Sequence, residues 1–500
     1  MQKENNFKVL LVQVNSMMEN LIPVNLSLLS ACLKEKCFEV GLFDTTWYRT
    51  SDLAADEKRV EDLQIRPFNL KEYGIGFKDN DVYEDFRKKV IEFKPILVAL
   101  SLVEPTFYLG IRLLKKIKDL GVPNIIGGVH AIMDPEGVIS FEDVDMVCTG
   151  EGERLICRLC EHMQEKKDLN GIEGLWFKKD GKVIKNKMPS ELVSLDELPF
   201  LDFSIFDKER FYRPMAGKIY KMIPVEMSRG CCYNCAFCCD EALNRAFSGI
   251  GKWYRQKSVE RIFEEIDFYV KNYQAQYLYF ISETFLAMDI KKFRAFAERY
   301  KKIKLPFWFN TRPETITEEK IKLLEEIGCN RISIGIEQGN EEFRRKALNR
   351  KYTNECVVKA VGIVSKSNIA LSLNNIIGFP GENRDLIFDT IKLIRKLSLR
   401  RFDSVSCFLF APYKGTLLRR VCVEKGYIGR ETNVTDHSLD YILDNPLISK
   451  KELLGILRTF TSYCRLPKEH FSLIRKAEEF TKEGNLSFKK VMEIYSKAYF

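Results

Sequence analysis

The sequence is poor in histidine and has no long apolar run. Only four histidines occur among 500 residues, whereas cysteine occurs 15 times. No uninterrupted stretch of about 18 apolar residues is present, so a transmembrane helix is not expected. The N-terminus lacks the basic segment, apolar core and cleavage site of a secretory signal. These absences indicate a cytoplasmic protein.

Internal repeats and low-complexity tracts are also missing. A content of 45% hydrophobic and 30% charged residues is that of a globular chain with large cores, not of a disordered one. The net charge of +9 is mild, and the basic residues are dispersed among acidic ones. This balance permits an anionic partner without demanding one, and no nucleic acid is expected as a partner.

The first third of the chain alternates short apolar strands with helices. Nearly continuous apolar strands between helices predict a doubly wound parallel sheet, which binds ligands at the carboxyl ends of its strands. The predicted strands cover residues 7–14, 38–43, 96–102, 123–127 and 143–149, and the predicted helices cover 24–36, 82–94, 106–120 and 152–165.

A second alternating series begins near residue 220 and contains six strand–helix units. Six such units predict an α/β fold with a full or partial (β/α) barrel, whose chemistry lies at the carboxyl ends of the strands. The predicted strands lie near 222–229, 276–282, 306–311, 330–336, 369–377 and 402–410. The expected domains are a Rossmann-type domain (1–165), a hairpin and linker (166–215), the barrel core (216–425) and a helical region (426–500).

Five of the cysteines crowd into a short segment after the first barrel strand, where residues 229–238 read RGCCYNCAFC and Cys239 follows. In a reducing compartment, clustered thiols are more often metal ligands than disulfides. Cys231, Cys235 and Cys238 have a C-x3-C-x2-C spacing, which lets one loop surround a small iron–sulfur core. A [4Fe–4S] cluster has four irons, so three thiolates leave one iron open to a small molecule.

Two other interpretations of these thiols stay open at this level. A closed zinc site needs four ligands, and Cys232 or Cys239 could supply the fourth, although one nine-residue loop is cramped for that purpose. The thiols could also be inert packing residues. Cys157 and Cys160 have a C-x2-C spacing within an amphipathic helix, which indicates ordinary apolar packing.

The segment RGCCYNCAFC resembles the cluster loop of the radical S-adenosylmethionine (SAM) enzymes, C-x3-C-x-aromatic-C, with Phe237 in the aromatic position. Further resemblances follow in the order of that family. They are YLYFISETF (277–285) for the strand-two motif, RISIGIEQGNEE (331–342) for strand four, NNIIGFPGEN (374–383) for strand five and FLFAPYKGTLL (408–418) for strand six. In the last of these, Lys414 replaces the usual second proline.

The resemblance implies a [4Fe–4S] cluster on the three cysteines and SAM bound beside it. Glu283 would hold the SAM ammonium, Glu337 and Gln338 would meet the ribose or the methionyl group, and the backbone at Ile376 and Gly378 would lie against the adenine. Two further strand-end residues are expected to contact cofactor: Ser282 and Arg312.

The N-terminal series resembles the cobalamin-binding domain that is fused to one large class of radical SAM enzymes. The segments that carry this resemblance include SLVEPT, IIGGVHAIMDPEGVI and VDMVCTGEGE. It implies that cobalamin lies at the strand ends, with glycines allowing close approach of a flat macrocycle. The implied contacts are Ser101, Gly127, Gly128, His130, Gly150, Glu151 and Gly152.

One feature of cobalamin domains of the methionine-synthase type is absent. Those domains carry D-x-H-x-x-G after the first strand, and its histidine ligates cobalt, whereas this chain reads QVNSMMENLI there. His130 is expected to contact the corrin or to stabilise its loop rather than to ligate cobalt. A domain that binds no corrinoid is the alternative.

Together these resemblances imply a cobalamin-dependent radical SAM enzyme that methylates an unactivated centre. The alternatives are a cobalamin-assisted cyclisation or rearrangement without methyl transfer, and a non-catalytic iron–sulfur or corrinoid-binding protein. A methylthiotransferase fits less well, because Cys32, Cys37 and Cys148 do not occupy suitable strand ends. The expected partners are a reductant such as flavodoxin or ferredoxin and a small-molecule or lipid-like substrate. No motif names that substrate.

Overall fold

A computed structural model describes residues 7–434, 436 and 439–500, and the chain divides into two compact units. The first unit comprises the described residues up to Ala54 together with Leu70–Tyr212 and Ala242–Trp253. The second comprises Ala55–Asn69, Arg213–Glu241 and the described part of Tyr254–Phe500. The short segment Ala55–Asn69 therefore belongs to the second unit although it lies within the first third of the sequence.

The first unit is built on a seven-stranded sheet of order β2-β1-β3-β4-β5-β6-β7. Its first five strands are parallel and the last two are antiparallel additions. The order 2-1-3-4-5 is that of a doubly wound α/β sheet, as the alternating pattern predicts. The strands are β1 (Lys8–Gln13), β2 (Glu39–Asp44), β3 (Leu97–Ser101), β4 (Asn124–Gly127), β5 (Met146–Cys148), β6 (Leu175–Lys179) and β7 (Lys182–Lys185).

The antiparallel additions form a tight hairpin. Its two turn residues, Asp180 and Gly181, both have positive φ, 48° and 71°. An Asp-Gly pair suits such a turn because its backbone twist matches that of the flanking strands.

The second unit is built on another seven-stranded sheet, of order β16-β15-β14-β13-β12-β9-β8. Six of its strands are parallel and form a curled half-barrel, which confirms the predicted fold class. The seven strands of this sheet are β8 (Tyr212–Met215), β9 (Lys218–Glu226), β12 (Tyr277–Ile281), β13 (Phe307–Thr311), β14 (Cys329–Glu337), β15 (Ala370–Ile377) and β16 (Ser404–Leu409). Two short strands, β10 (Ser228–Arg229) and β11 (Arg255–Gln256), lie outside it.

The first half-barrel strand differs from its predicted bounds of 222–229. β9 ends at Glu226, and the next residues form β10, which pairs with β11 in a separate small antiparallel sheet. Gly230 follows with φ 82°, a conformation that glycine adopts without steric cost. The predicted strand thus ran three residues past the point where the chain leaves the half-barrel.

Helices separate the parallel strands, and polar residues at their N-termini accept hydrogen bonds from the first turn. The side chains of Ser258, Thr353 and Asn383 each accept a hydrogen bond from the backbone amide three residues later in the chain. The helices are α1 (Val24–Glu35), α2 (Ala55–Glu61), α3 (Val82–Phe93), α4 (Phe107–Ile117), α5 (Val129–Met133), α6 (Pro135–Ser140), α7 (Gly152–Gln164), α8 (Cys239–Ala246), α9 (Val259–Tyr273), α10 (Ile290–Tyr300), α11 (Glu318–Glu326), α12 (Glu341–Ala347), α13 (Asn354–Ser365), α14 (Arg384–Arg395), α15 (Leu417–Glu424), α16 (Lys450–Arg465), α17 (Phe471–Ala477) and α18 (Lys482–Tyr499).

None of the described helices combines the length and the apolar character that a membrane-spanning helix needs. Cys157 and Cys160 are buried in α7, as the helical pattern predicts.

Aromatic rings fill much of the core of the second unit. Phe280, in β12, is fully buried, and its ring centroid lies 5.0 Å from that of Phe307 and 5.5 Å from that of Phe296. Edge-to-face pairs of this kind add to the free energy of apolar burial.

We expect Phe280→Ala to lower the free energy of unfolding by about 3–5 kcal/mol, because it removes buried area and leaves a cavity. Val358→Ala is the matched control: this side chain is 42% exposed on α13, so its loss should cost less than about 0.5 kcal/mol. Urea denaturation followed by circular dichroism measures both. Equal losses in the two variants would contradict this account of the core.

Candidate functional site

The cysteine loop follows β9 at the carboxyl edge of the half-barrel. Cys231 and Cys235 are buried, Cys238 is half-buried, and Cys232 is exposed. The amide of Cys238 donates to the carbonyl of Cys235 over 3.1 Å, which turns the loop tightly. The three thiols of the predicted pattern are therefore on the protected side of the loop, while Cys232 faces solvent.

Backbone hydrogen bonds from two distant segments fix the loop. The amide of Ala236 donates to the carbonyl of Leu348, and its carbonyl accepts from the amide of Leu418, each over 3.0 Å. The side-chain amide of Asn349 donates to the carbonyl of Asn234 over 2.7 Å. These bonds join the loop to the regions that follow β14 and β16.

A buried guanidinium meets one of the cysteine sulfurs. Arg312 is 5% exposed at the end of β13, and its Nη1 donates to Sγ of Cys235 over 3.0 Å. The guanidinium carbon lies 3.8 Å from the ring centroid of Tyr233, and Glu314 accepts from Nε over 2.8 Å. The carboxylate and the aromatic face hold the cation in place beside the sulfur.

The ionisation of the thiols reflects this setting. Burial raises the pKa of Cys235, and the guanidinium groups of Arg350 and Arg312 oppose that rise. Burial and the charge of Asp240 raise the pKa of Cys238. Thiols in this state need a positive partner to become thiolates, and bound iron supplies one.

Among the described residues, no three His, Cys, Asp or Glu side chains are close enough to share a single metal ion. An iron–sulfur cube makes a different demand, because each thiolate binds a different iron. Three cysteines on one protected loop with a cation beside them fit such a cluster, and Cys231, Cys235 and Cys238 are the residues that would hold it.

The strand-two motif ends in a buried serine, Ser282, and an exposed glutamate, Glu283. The hydroxyl of Ser282 is buried and lies 2.7 Å from that of Ser228. Glu283 is exposed, although protein atoms close to its carboxyl group affect its ionisation. Burial and the neighbouring Asp240 raise the pKa of Glu283 to about 7. A carboxylate at this position suits a cationic ligand group.

The strand-four motif contains a strained residue and a buried one. Glu337 ends β14 with φ 63°, and its carboxylate pairs with the buried guanidinium of Arg350. Gln338 is fully buried, and its amide donates to Glu382 over 2.9 Å and to the carbonyl of Leu386 over 2.7 Å. The amide of Gln338 thus holds the loop, and its predicted contact with SAM stays a prediction.

The strand-five glycine motif requires glycine at Gly378. Its φ is 87°, and a Cβ there would lie 2.7 Å from the ring of Tyr441. The hydroxyl of Tyr441 donates to the Gly378 carbonyl over 2.8 Å. The carboxylate of Glu382 accepts from the amide of Gly378 over 2.6 Å. Burial raises the pKa of Glu382 to about 7.

Ile376 and Phe237 lie on either side of this turn. Ile376 is half-buried in β15, and Phe237 of the cysteine loop packs on Phe379 with ring centroids 5.7 Å apart. The aromatic position of the cluster motif therefore joins the cysteine loop to the glycine motif.

Three residues that shape this site were not predicted from the sequence. Arg350 forms an ion pair with Glu337, and the carboxylate of Glu382 accepts a hydrogen bond from the amide of Gly378. Lys257 forms a buried ion pair with Glu265 over 2.7 Å. Lys257 also lies 3.7 Å from Glu226, the last residue of β9. Only Glu382 lies within a quoted motif, NNIIGFPGEN, where its position after two glycines could have suggested a cap.

In the first unit, the predicted cofactor contacts follow the carboxyl ends of three adjacent parallel strands. Ser101 ends β3 and accepts a hydrogen bond from the side chain of Asn25, and Gly127 ends β4. A Cβ on Gly127 would meet only ordinary contacts at 3.6 Å, so the fold itself leaves room there. Gly128 differs, because a Cβ would lie 2.5 Å from the carbonyl of Leu102.

The imidazole of His130 points into the protein. It is 3% exposed, and its ring centroid lies 4.8 Å from that of Phe107. The expectation that His130 contacts the corrin or stabilises its loop, without ligating cobalt, stays a prediction.

The segment after β5 supplies the other predicted contacts. A Cβ on Gly150 would lie in ordinary contact with Pro189, at 3.6 Å, and a Cβ on Gly152, which begins α7, would lie 3.3 Å from the side chain of Leu29. The carboxylate of Glu151 accepts from the amide of Val193 over 2.9 Å. The predicted corrin contacts therefore lie at the carboxyl ends of adjacent strands, and their contact with a corrin stays a prediction.

Comparisons with known proteins agree with this geometry. Residues 225–394 match the family model of the Radical SAM superfamily. An uncharacterized methyltransferase of Pyrococcus horikoshii is 27% identical over 349 residues, which is 69% of this chain and 72% of that protein. The cytidylyl-2-hydroxyethylphosphonate methyltransferase of Streptomyces wedmorensis is 23% identical over 459 residues, 82% of this chain and 80% of that protein.

Two solved structures share the fold over nearly the whole chain. TsrM from Kitasatospora setae, a radical SAM methyltransferase with cobalamin and a [4Fe–4S] cluster bound, superposes with a TM-score of 0.66. The match covers 98% of this chain and 99% of TsrM at 14% identity. OxsB, a cobalamin-dependent SAM radical enzyme, superposes with a TM-score of 0.63, over 99% of this chain and 72% of OxsB, at 17% identity.

The cysteine loop, the family match across the half-barrel and the shared overall fold lead to one conclusion. Residues 225–394 form a Radical SAM domain, and the chain has the fold of the cobalamin-dependent radical SAM enzymes.

Proposed function

We propose that this protein is a cobalamin-dependent radical SAM methyltransferase that methylates an unactivated centre of a small substrate. The observation that carries the proposal is the cysteine loop, with three protected thiols and a buried guanidinium on one of the sulfurs. Methyl transfer is favoured because two relatives over most of the chain are named methyltransferases. The fold shared with TsrM and OxsB supports a corrinoid on the first unit.

When bound, the cluster and SAM supply an electron and a carbon-centred radical, and cobalamin supplies a transferable methyl group. Cys231, Cys235 and Cys238 would hold the cluster on three of its irons and leave the fourth iron open to SAM. The exposed Cys232 lies on the solvent side. Arg312 stabilises negative charge on the Cys235 sulfur by donating a charge-assisted hydrogen bond.

The polar groups at the strand ends would orient SAM. Glu283 is placed to accept from an ammonium group, and the Gly378 turn offers backbone against a flat base. Glu337 is held by Arg350, which fixes its carboxylate for contact with a ribose. Water exclusion by the surrounding core protects a reactive intermediate.

The reaction requires an external reductant, for which a flavodoxin or a ferredoxin is suited. A reducing cytoplasm would keep the 15 cysteines as thiols.

We predict that replacing any one of Cys231, Cys235 and Cys238 by alanine abolishes the cluster and SAM cleavage, because each thiolate binds its own iron. Cys232→Ala and Cys239→Ala are the matched controls and should keep both. Iron and sulfide content and the formation of 5′-deoxyadenosine with dithionite, measured without air, test this. Cleavage of SAM by Cys235→Ala would contradict the proposal.

Arg312→Gln should make the reduction potential of the cluster more negative. The guanidinium favours the reduced, more negatively charged cluster, so its loss should shift the potential by on the order of 50 mV. An EPR-monitored redox titration measures the shift. Arg299→Gln, which removes a cation stacked on Phe263, is the control and should change nothing. A potential that is unchanged in Arg312→Gln would show that its contact with Cys235 has no electronic effect.

Protein prepared without air should retain cobalamin, and its absorption spectrum should be the same in His130→Gln as in the wild type. The reason is that the imidazole is buried against Phe107 rather than directed at the strand edge. Failure of the wild type to retain any corrinoid would overturn the cobalamin part of the proposal. A spectral change confined to the variant would indicate that His130 reaches the cobalt.

A further inference from the structure

The inner face of the half-barrel borders a cavity of about 300 Å³. The residues assigned to the cluster and to SAM do not line it. Its lining comes entirely from the second unit, including Ala55–Asn69, the half-barrel strands and the end of α18. A volume of this size is at the lower end for ligand pockets. Barrels of this type usually fill their interior with large branched side chains, so an open interior needs a reason.

The walls of the cavity are polar where a packed core would be apolar. Four neighbouring strands present short polar side chains: Asn310 in β13, Ser333 in β14, Asn374 in β15 and Ser406 in β16. Asn310 pairs in register with Ser333, Ser333 with Ser372 of β15, and Ser372 with Ser404 of β16. All four line the cavity, so they form a continuous polar band across the sheet. Such a band offers hydrogen bonds to a ligand while it leaves space for it.

The charge of the lining is strongly positive. Five arginines contribute to it against only two acidic side chains, Asp56 and Asp403, which leaves an excess of three positive charges. Both acids are already engaged, Asp56 by Arg59 and Asp403 by Arg400, which lies outside the lining. The arginines of the lining are Arg59, Arg66, Arg213, Arg331 and Arg401.

Among these arginines, Arg331 is buried without forming an ion pair in the described part of the chain. It is 7% exposed, and it donates to the carbonyls of Leu371 and Phe402 and to two serine hydroxyls. Its buried Nε has no hydrogen-bond partner in that part of the chain. A buried cation without a counter-charge is costly unless a ligand completes it.

Arg66 faces the same space and donates to the backbone carbonyl of Tyr499 over 3.0 Å. It too has no acidic partner among the described residues. A flat aromatic surface lies alongside, because Trp308 lines the cavity and is stacked on Tyr279 with ring centroids 4.1 Å apart. The cavity thus combines an anion-binding end with an aromatic wall.

The cavity occupies the part of the half-barrel away from the cysteine loop. Ser333 of the lining precedes Glu337, at the strand end, by four residues, which is about 13 Å along β14. A molecule anchored at the arginines would therefore extend along the strands toward the carboxyl edge.

We propose that this cavity binds the anionic group, of phosphate or carboxylate type, by which the substrate is anchored, and that Arg331 and Arg66 are its direct ligands. The planar guanidinium matches the oxygen pairs of both groups. Naming the ligand as the substrate rests on the proposed function, whereas the binding of an anion does not.

The test is isothermal titration calorimetry of the anaerobically reconstituted protein with pyrophosphate and with malonate, at constant ionic strength set with sodium chloride. We expect saturable binding of at least one of the two. Arg331→Gln and Arg66→Gln should each weaken it about tenfold or more, because each removes a charge-assisted hydrogen bond. Arg299→Gln is the matched control for charge loss outside the cavity and should bind as the wild type does.

Arg331→Lys keeps the charge but loses the paired donors, so its affinity should fall between those of the wild type and Arg331→Gln. The melting temperature of each variant shows whether it is folded. If Arg331→Gln does not fold, the binding measurement on Arg66→Gln decides the test. Absence of saturable binding in the wild type, or full affinity in a folded Arg66→Gln protein, would overturn the proposal. Formation of 5′-deoxyadenosine by the wild type reports on the proposed function separately.

Discussion

The hydrogen bond from Arg312 to the sulfur of Cys235 is the interaction on which the site depends. A buried guanidinium is unfavourable unless negative charge and hydrogen-bond acceptors surround it, and here Glu314, the ring of Tyr233 and the sulfur share that task. The same bond ties the end of β13 to the cysteine loop. It couples the position of the loop to the ionisation of a thiol, so that geometry and charge cannot change independently.

The parallel arrangement of the strands explains why short motifs from distant parts of the sequence meet. In a parallel sheet the carboxyl ends of all strands lie on one edge, and each loop there begins at a similar height. The turn at Gly378 reaches Phe237 in this way through Phe379, and the loop at Glu337 reaches Arg350. The first unit applies the same principle at the ends of its own parallel strands, where Ser101 and Gly127 end neighbouring strands.

Buried polar groups in the second unit fall into two kinds. Gln338 and Glu382 satisfy each other and the backbone, and they give rigidity to the turns that carry the motifs. Arg331 is hydrogen-bonded only to neutral groups, and it borders an open cavity. The hydrogen bonds of Gln338 and Glu382 stabilise the fold itself. Burial of the Arg331 charge costs free energy that binding an anion would offset, as expected at functional sites.

The sequence by itself determined the elements and the chemistry that depends on local pattern. Apolar strands such as β12 and β15 lie within about two residues of their predicted bounds, because strand burial and helix periodicity are local properties. The thiol spacing of the loop is likewise local. Tertiary structure alone decided the exit of the chain at Glu226, the burial of Gln338, the pairing of Glu337 with Arg350 and the inclusion of Ala55–Asn69 in the second unit. These features depend on which residues face each other across strands far apart in the chain, and no local pattern records that.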